Sequence, residues 1–179
     1  ITYQSANSVS PLNTFSTDDY FGYLDDNEGE FTNDLVDIGI GRLPAKSLQE
    51  ANDMVNKIIH YHDLSSRGDW RNITSFIADD GDDTDGNIHM QQADNLCNII
   101  DDNYNNYNFE KFYLDIYNQE STPVGPRSPD CKDAISRRVE KGALLVNFTG
   151  HGGESGLTSE RIIDIDQILD WENYDNLPL

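Results

Sequence analysis

Residues 142–154, Gly-Ala-Leu-Leu-Val-Asn-Phe-Thr-Gly-His-Gly-Gly-Glu, constrain this chain more than any other stretch. Five of the six residues from Ala143 to Phe148 are apolar; Asn147 is the exception. A short apolar run without alternation reads as a strand buried on both faces, as in a parallel sheet. Thr149-Gly150-His151-Gly152-Gly153 then stops the run. A histidine between glycines, just past a buried strand, stands where open α/β sheets place ligands and chemistry. The glycines also let a substrate backbone approach the imidazole and the local N–H groups closely. The plain alternative is a glycine-rich turn with an incidental exposed histidine, so the rest of the chain has to decide.

Residues 1–31 read as a polar loop with one or two short strands, including the acidic and aromatic run Asp18-Asp19-Tyr20-Phe21-Gly22. Val36 to Arg42 alternates apolar with small or polar residues, which predicts a strand ended by Leu43-Pro44. Ser47-Leu48-Gln49-Glu50 has the form of a capping box, and apolar residues then recur at helical spacing to about His62. His60 and His62 lie on different faces of that helix and make a poor metal pair. A strand over 72–78 runs directly into the acidic loop Asp79 to Asn87. A helix follows from Ile88 to about Asn103 and turns Cys97 inward as an inert core thiol. Further along, the sequence predicts a strand over 111–117, a Pro/Gly loop over 121–127, and a helix capped by Ser128 with Pro129 in its first turn. Gly142 ends that helix. Asp164-Ile165-Asp166-Gln167 is a second capping box that opens a short helix through about Trp171.

Strands and helices therefore alternate, which predicts an α/β sandwich with a mainly parallel sheet flanked by helices. Right-handed crossovers would bring the C-terminal ends of the strands to one edge. The loop from Asp79 and the loop carrying His151 each follow a strand directly, so both belong at that edge.

Composition narrows the function classes. Twelve basic and 33 acidic residues leave a net charge of −21, which disfavours nucleic acid and anionic membrane surfaces. Two cysteines cannot form a disulfide framework. No apolar run approaches the length of a membrane-spanning helix, and no signal peptide is recognisable. The chain begins with Ile1, which reads as part of a larger protein.

For nucleophilic catalysis, His151 suits a general base or the partner of a thiolate, because an ordinary imidazole titrates near neutral pH. Asp79 or Asp80 could orient it or bind a basic group of a substrate. Cys131, in the first turn of a helix, is the better placed thiol, since a helix N-terminus lowers thiol pKa; the loop before it is long, however, and the favoured reading is an ordinary first-turn residue. For metal, the loop resembles a calcium loop. With Gly86 as the fixed glycine of an EF-hand, however, the first and last ligands fall on Gly81 and Gln92, which excludes that motif. A calcium site of another kind, using Asp79, Asp82 and Asp85, stays open beside a plain solvated acidic loop. Zinc through His89, His151 and Glu154 lacks supporting Cys/His spacing.

The stretch Asn147 to Glu154 resembles the gingipain family of cysteine endopeptidases. It is most similar to PorU-type members, the sortase-like peptidases of the type IX secretion system. Thr2-Tyr3-Gln4-Ser5, Asp18 to Gly22, Ile40 to Pro44, Ala78 to Asp82, Ile88-His89-Met90 and Asn176 to Leu179 carry the same resemblance. It implies a caspase-like α/β fold and makes His151 the histidine of a Cys–His dyad. It places Asp80 where gingipains carry an acidic residue near that histidine, and gives the Gly152 N–H to the oxyanion. The family nucleophile lies just beyond the segment matching Leu177-Pro178-Leu179, so the resemblance assigns it to neither Cys97 nor Cys131. The 179 residues alone would then be inactive and would expose an apolar sheet edge awaiting a further strand.

Substrate-facing positions implied by the resemblance are Asn87, Glu154 and Leu157. Leu157 replaces a Trp usual in PorU-type members. The acidic residue of Arg-specific gingipains falls at or near Asn87, so Arg specificity is not implied. The implied partners are a protein substrate, the C-terminal region of secreted cargo, and the remainder of the same polypeptide. The implied location is secreted or on the outer-membrane surface of a bacterium, with no membrane insertion by this segment. No cofactor is required by this chemistry. Residues 1–43 would end a preceding subdomain, and residues 44–179 would form most of the catalytic one.

Overall fold

The computed structural model describes residues 18–29 and 34–176. The motifs Thr2 to Ser5 and Leu177 to Leu179, and most of the first expected strands, lie outside those residues. Packing divides the chain into two units, Ile1–Asn56 and Lys57–Leu179.

In the first unit a short 3₁₀ helix, Asp19–Gly22, packs Gly22 under Val36 and Ile40. The Asp37 N–H donates to Gly22 O at 2.9 Å, and Arg42 pairs with Asp18. The strand expected over 36–42 is absent: the segment is irregular and exposed. Its alternation supplies a pattern but no ladder, and Gly39 and Gly41 weaken a strand that has nothing to pair with among the described residues.

Helix α1, Leu48–His62, begins at Ser47, whose Oγ accepts from the Glu50 N–H at 3.1 Å. The Glu50 carboxylate reaches the N–H of Lys46 rather than that of Ser47, so the reciprocal half of the expected box is displaced by one residue. Leu48, Val55, Ile58 and Ile59 stand exposed. Near the end of α1, His60 stacks on Tyr174 at 4.0 Å and its Nε2 lies 2.9 Å from Asp175.

The second unit is built on three parallel strands in the order β2-β1-β5: β1 Ile73–Ala78, β2 Asn108–Tyr113 and β5 Leu145–Thr149. Helix α2, Ile88–Asn103, and helix α3, Pro129–Lys141, connect them. Alternation along β1 supplies both cores. Phe76 and Ala78 meet Ala93 and Cys97 of α2 on one face. Ile77 meets Cys131, Ile135 and Val139 of α3 on the other. Complete burial of Phe76 or Ile77 stabilises by about 1.5–3 kcal/mol each.

Three boundaries differ from the sequence reading. β2 begins at Asn108 and gives way to a 3₁₀ turn at Leu114–Ile116, so the expected strand over 111–117 is shifted toward the N-terminus. The register with β1 sets this, because Ala78 pairs with Tyr113 and the ladder ends there. The Pro/Gly loop folds instead into a hairpin, β3 Glu120–Thr122 and β4 Gly125–Arg127, turning at Gly125 with φ 108°. Finally, β5 is only half-buried, because β1 pairs with one of its edges and nothing among the described residues pairs with the other.

Ser128 precedes α3 as expected, but its hydroxyl donates to Asn118 O at 2.9 Å instead of capping the helix. Gly142, at φ 86°, ends α3 beneath Trp70, where a Cβ would stand 2.9 Å from the ring. Beyond β5 the chain forms an antiparallel sheet of two-residue strands: β6 Gly152–Gly153, β7 Gly156–Leu157 and β8 Ile163–Asp164. Helix α4, Ile165–Asp170, follows with the predicted capping box of Asp164 and Gln167 complete. The mainly parallel sheet with helices on both faces is the architecture anticipated from the alternation of elements.

Candidate active site

The C-terminal ends of β1 and β5 lie side by side, with Ala78 opposite Thr149. The Asp79 N–H continues the ladder by donating to Thr149 O at 3.0 Å. Two residues on, the chain from β5 turns back over that point. The Asp79 carboxylate, 5% exposed, accepts the backbone N–H of His151 at 2.9 Å through Oδ2. The same oxygen lies 3.2 Å from His151 Nδ1.

Gly150 makes this approach feasible. A Cβ there would collide with the Asp79 Cβ and stand 2.8 Å from Phe148 Cζ. The Gly-His-Gly sequence therefore has a structural reason at its first glycine, and the plain reading of an incidental turn does not account for it.

The imidazole itself is 60% exposed and opens to the sheet edge. Its Nε2 lies 3.1 Å from Asp85 Oδ2, so both ring nitrogens face carboxylate oxygens. Only the doubly protonated ring can donate to both. His89, in the first turn of α2, sits edge-on to the ring with centroids 4.8 Å apart.

The loop between β1 and α2 holds its shape through its own backbone. Asp82 Oδ1 accepts the N–H groups of Thr84 at 2.6 Å and Asp85 at 2.8 Å. Those bonds, the Asp85 one foremost, draw the Asp82 carboxyl below its ordinary value, and the nearby His151 adds a smaller pull. Gly81 lies so close to Gly86 O, at 2.7 Å from a built Cβ, that a side chain there would open the loop.

The carboxylate at His151 is Asp79 and not Asp80, contrary to the placement implied by loop correspondence. Asp79 directly follows Ala78, the last residue in register with β5, and its N–H still bonds Thr149 O, so its side chain meets the turn beyond Thr149. Asp80 has left the sheet; it accepts Gln119 Nε2 at 2.6 Å and has its own N–H bonded to Asp79 Oδ1.

The metal set expected from Asp79, Asp82 and Asp85 does not converge either. Asp82 and Asp85 cluster with His151, while Asp79 groups with His89 and His151 and, separately, with Asp80 and Glu160. The turn that carries Asp82 forward over the ring separates its carboxylate from the strand end. Of the residues weighed for zinc, His89 and His151 are neighbours, but Glu154 is exposed and belongs to no such cluster.

Gly152 is exposed and begins β6 opposite Leu157. Leu157 is half-buried and packs on the core beside Ile162 and Ile163. Asn87 precedes α2, exposed, with its side chain accepting Gln91 Nε2 at 2.6 Å.

Both cysteines are buried. Burial pushes the Cys131 thiol up to about 12 and also raises that of Cys97. The helix-terminus effect considered for Cys131 is thus overridden: its sulfur lies inside the core formed with Ile77 and Ile135.

Two features of the site had no separate signal in the sequence. One is the contact of Asp85 with His151. The other is Glu160, a lone acidic residue in Thr-Ser-Glu-Arg-Ile that the turn between β7 and β8 buries to 5% exposure. Only the burial of that turn distinguishes it from the many solvated carboxylates of this chain.

The model of peptidase family C25 matches residues 1–179. No curated protein matches the chain. Among solved structures, the chain is similar to the Arg-specific cysteine proteinase gingipain R (RgpB), with 21% identity and a TM-score of 0.61. That alignment covers 91% of this chain and 34% of the other. It is also similar to the complex of Porphyromonas gingivalis RgpB pro- and mature domains, with 20% identity and a TM-score of 0.63, covering 92% and 35%. The likeness is one of fold, and the chain spans about a third of the length of the structures it matches.

Proposed function

The chain belongs to peptidase family C25, and from that premise we propose that it is the histidine-bearing part of a gingipain-like cysteine endopeptidase. The observation that carries the reading is the pair Asp79–His151 at the shared edge of β1 and β5. Asp79 holds the ring by Nδ1 and holds the backbone N–H of the same residue, which leaves Nε2 on the other side of the ring, facing Asp85. In the proposed reaction a thiol gives its proton to Nε2 and the thiolate attacks the scissile carbonyl. The imidazolium then returns a proton to the leaving amine, and water or a second amine releases the acyl group. The Gly152 N–H is the proposed donor to the developing oxyanion.

Asp85 faces Nε2, on the side from which a thiol has to approach. In this reading its carboxylate yields that position to the thiol. Cys97 and Cys131 are buried in the core, which supports a nucleophile other than these two, as the motif resemblance implies. Asn87, Glu154 and Leu157 are the proposed substrate-side residues.

The finer assignment rests on the motif resemblance. The protein would be PorU-type, would act at the bacterial cell surface, and would remove C-terminal sorting regions from secreted proteins and pass the new end to an acceptor. An acyl-enzyme serves hydrolysis and transfer alike.

The test is labelling of the full-length polypeptide with a cysteine-directed acyloxymethyl ketone, beside a His151→Ala protein, with the modified residue mapped by peptide mass. The reading expects a label on a cysteine outside residues 1–179 that is lost with His151→Ala. A label confined to Cys131, or none, would leave a binding module on this fold as the better account.

A further inference from the structure

Among the described residues, Glu160 is the one buried carboxylate that the dyad does not use. It is 5% exposed, and its Oε2 has no hydrogen-bond partner. One carboxylate oxygen each of Asp79, Asp80 and Glu160 lies within 4.8 Å of the other two. Leaving a buried carboxylate oxygen unpaired is costly, and placing two more carboxylates beside it adds repulsion. Burial, foremost, with the charges of Asp80 and Asp79, outweighs the opposing pull of its own backbone N–H and of the Thr158 hydroxyl and pushes the Glu160 carboxyl above its ordinary value. Among the basic side chains around the cluster, Lys132 pairs with Asp164, His151 lies on Asp79 Oδ2, and His89, which groups with Asp79 and His151, turns its Nε2 to within 3.5 Å of Asp85. Something positive is needed where these three oxygens meet.

We propose that Asp79, Asp80 and Glu160 bind one hard divalent cation, calcium by its donor set, beneath the loop that carries His151. All three donors are carboxylate oxygens, the set that suits calcium or magnesium rather than zinc or copper. Calcium is favoured between the two, because it accepts irregular geometry whereas magnesium demands a near-ideal octahedron. Existing bonds leave room for it. Asp79 uses Oδ2 for the His151 N–H and Oδ1 for the Asp80 N–H, Asp80 uses Oδ2 for Gln119, and each ionised carboxylate offers about four acceptor sites. The cation would tie the turn between β7 and β8 to the end of β1, and so fix the residue that holds His151. This site differs from the acidic loop of Asp82 and Asp85, and it does not depend on the peptidase reading.

Calorimetric titration of calcium chloride into the full-length polypeptide, after treatment with EDTA, tests it. The expected result is one calcium site that is at least tenfold weaker in Glu160→Gln and within about twofold of wild type in Asp82→Asn. Thermal melting in EDTA shows whether Glu160→Gln folds; if it does not, Asp80→Asn takes its place with the same expectation. No binding at millimolar calcium would overturn the proposal and leave a shared proton as the neutralising charge. Binding that Glu160→Gln leaves intact and Asp82→Asn abolishes would overturn it in favour of the exposed loop.

Discussion

One oxygen of Asp79 meets His151 twice: Oδ2 accepts the backbone N–H at 2.9 Å and lies 3.2 Å from the ring Nδ1. Main chain and side chain of the histidine are thereby set by a single buried carboxylate at a strand end. Asp80, its neighbour in sequence, touches neither and bonds Gln119.

This asymmetry predicts how the two aspartates differ in the full-length polypeptide. Asp79→Asn should slow acyloxymethyl ketone labelling by about 10²–10⁴-fold, the range for loss of an orienting or general-base group. Asp80→Asn should slow it by less than tenfold. Equal losses for the two, measured as second-order labelling rates, would mean that the carboxylate at His151 does not orient it.

Gly150 should tolerate no side chain. A Cβ there meets Asp79 and Phe148, both held by the sheet, so Gly150→Ala should destabilise by about 1–3 kcal/mol. Nothing lies within 4 Å of a Cβ built on Gly153, and Gly153→Ala should stay within about 0.5 kcal/mol of wild type. Urea denaturation of both variants gives the comparison, and similar losses would remove the special role assigned to Gly150.

Glu160 should make stability fall with pH when divalent cations are absent. Its carboxyl is raised above the ordinary 4.5 in the folded chain, chiefly by burial, so the folded state holds that proton more tightly than the unfolded state. The contribution is fully present below the unfolded value and is lost as pH rises through the folded one. In EDTA, Glu160→Gln should therefore gain on wild type as pH rises above 4.5. Parallel stability curves for the two proteins would contradict the assignment.

Asp164 should act in the opposite sense. Its bond to Lys132, then its capping bond from the Gln167 N–H, hold its carboxyl below the ordinary 3.8. That contribution is present above the unfolded value and disappears as pH falls through the folded one. Asp164→Ala should cost about 1 kcal/mol at neutral pH, the usual worth of an N-cap, and less in strong acid. A loss independent of pH, followed by circular dichroism in denaturant, would assign the effect to packing alone.

Local chemistry made much of this protein legible in its sequence. Apolar spacing located α1, α2 and α3, the run ending at Phe148 located β5, and the Asp164–Gln167 pair located α4. These signals are local: a period, a cap or a glycine acts within a few residues of itself. The alternation of strands and helices carried the fold one step further, because handed crossovers bring successive strand ends to one edge. That is why the loops of Asp79 and His151 could be placed together without coordinates.

Tertiary structure decided what depends on register and burial. Residues 36–42 alternate like a strand but stay irregular without a ladder. β2 lies earlier in sequence than its apolar residues suggest because β1 dictates its pairing. Asp79 rather than Asp80 reaches His151 because it directly follows Ala78, where register with β5 ends. Cys131 sits at a helix start that would activate a thiol, yet the core around it has the opposite and larger effect. Glu160 is one acidic residue among 33, and only the fold takes it out of water. Each of these outcomes depends on residues distant in sequence, so no local pattern could have carried it.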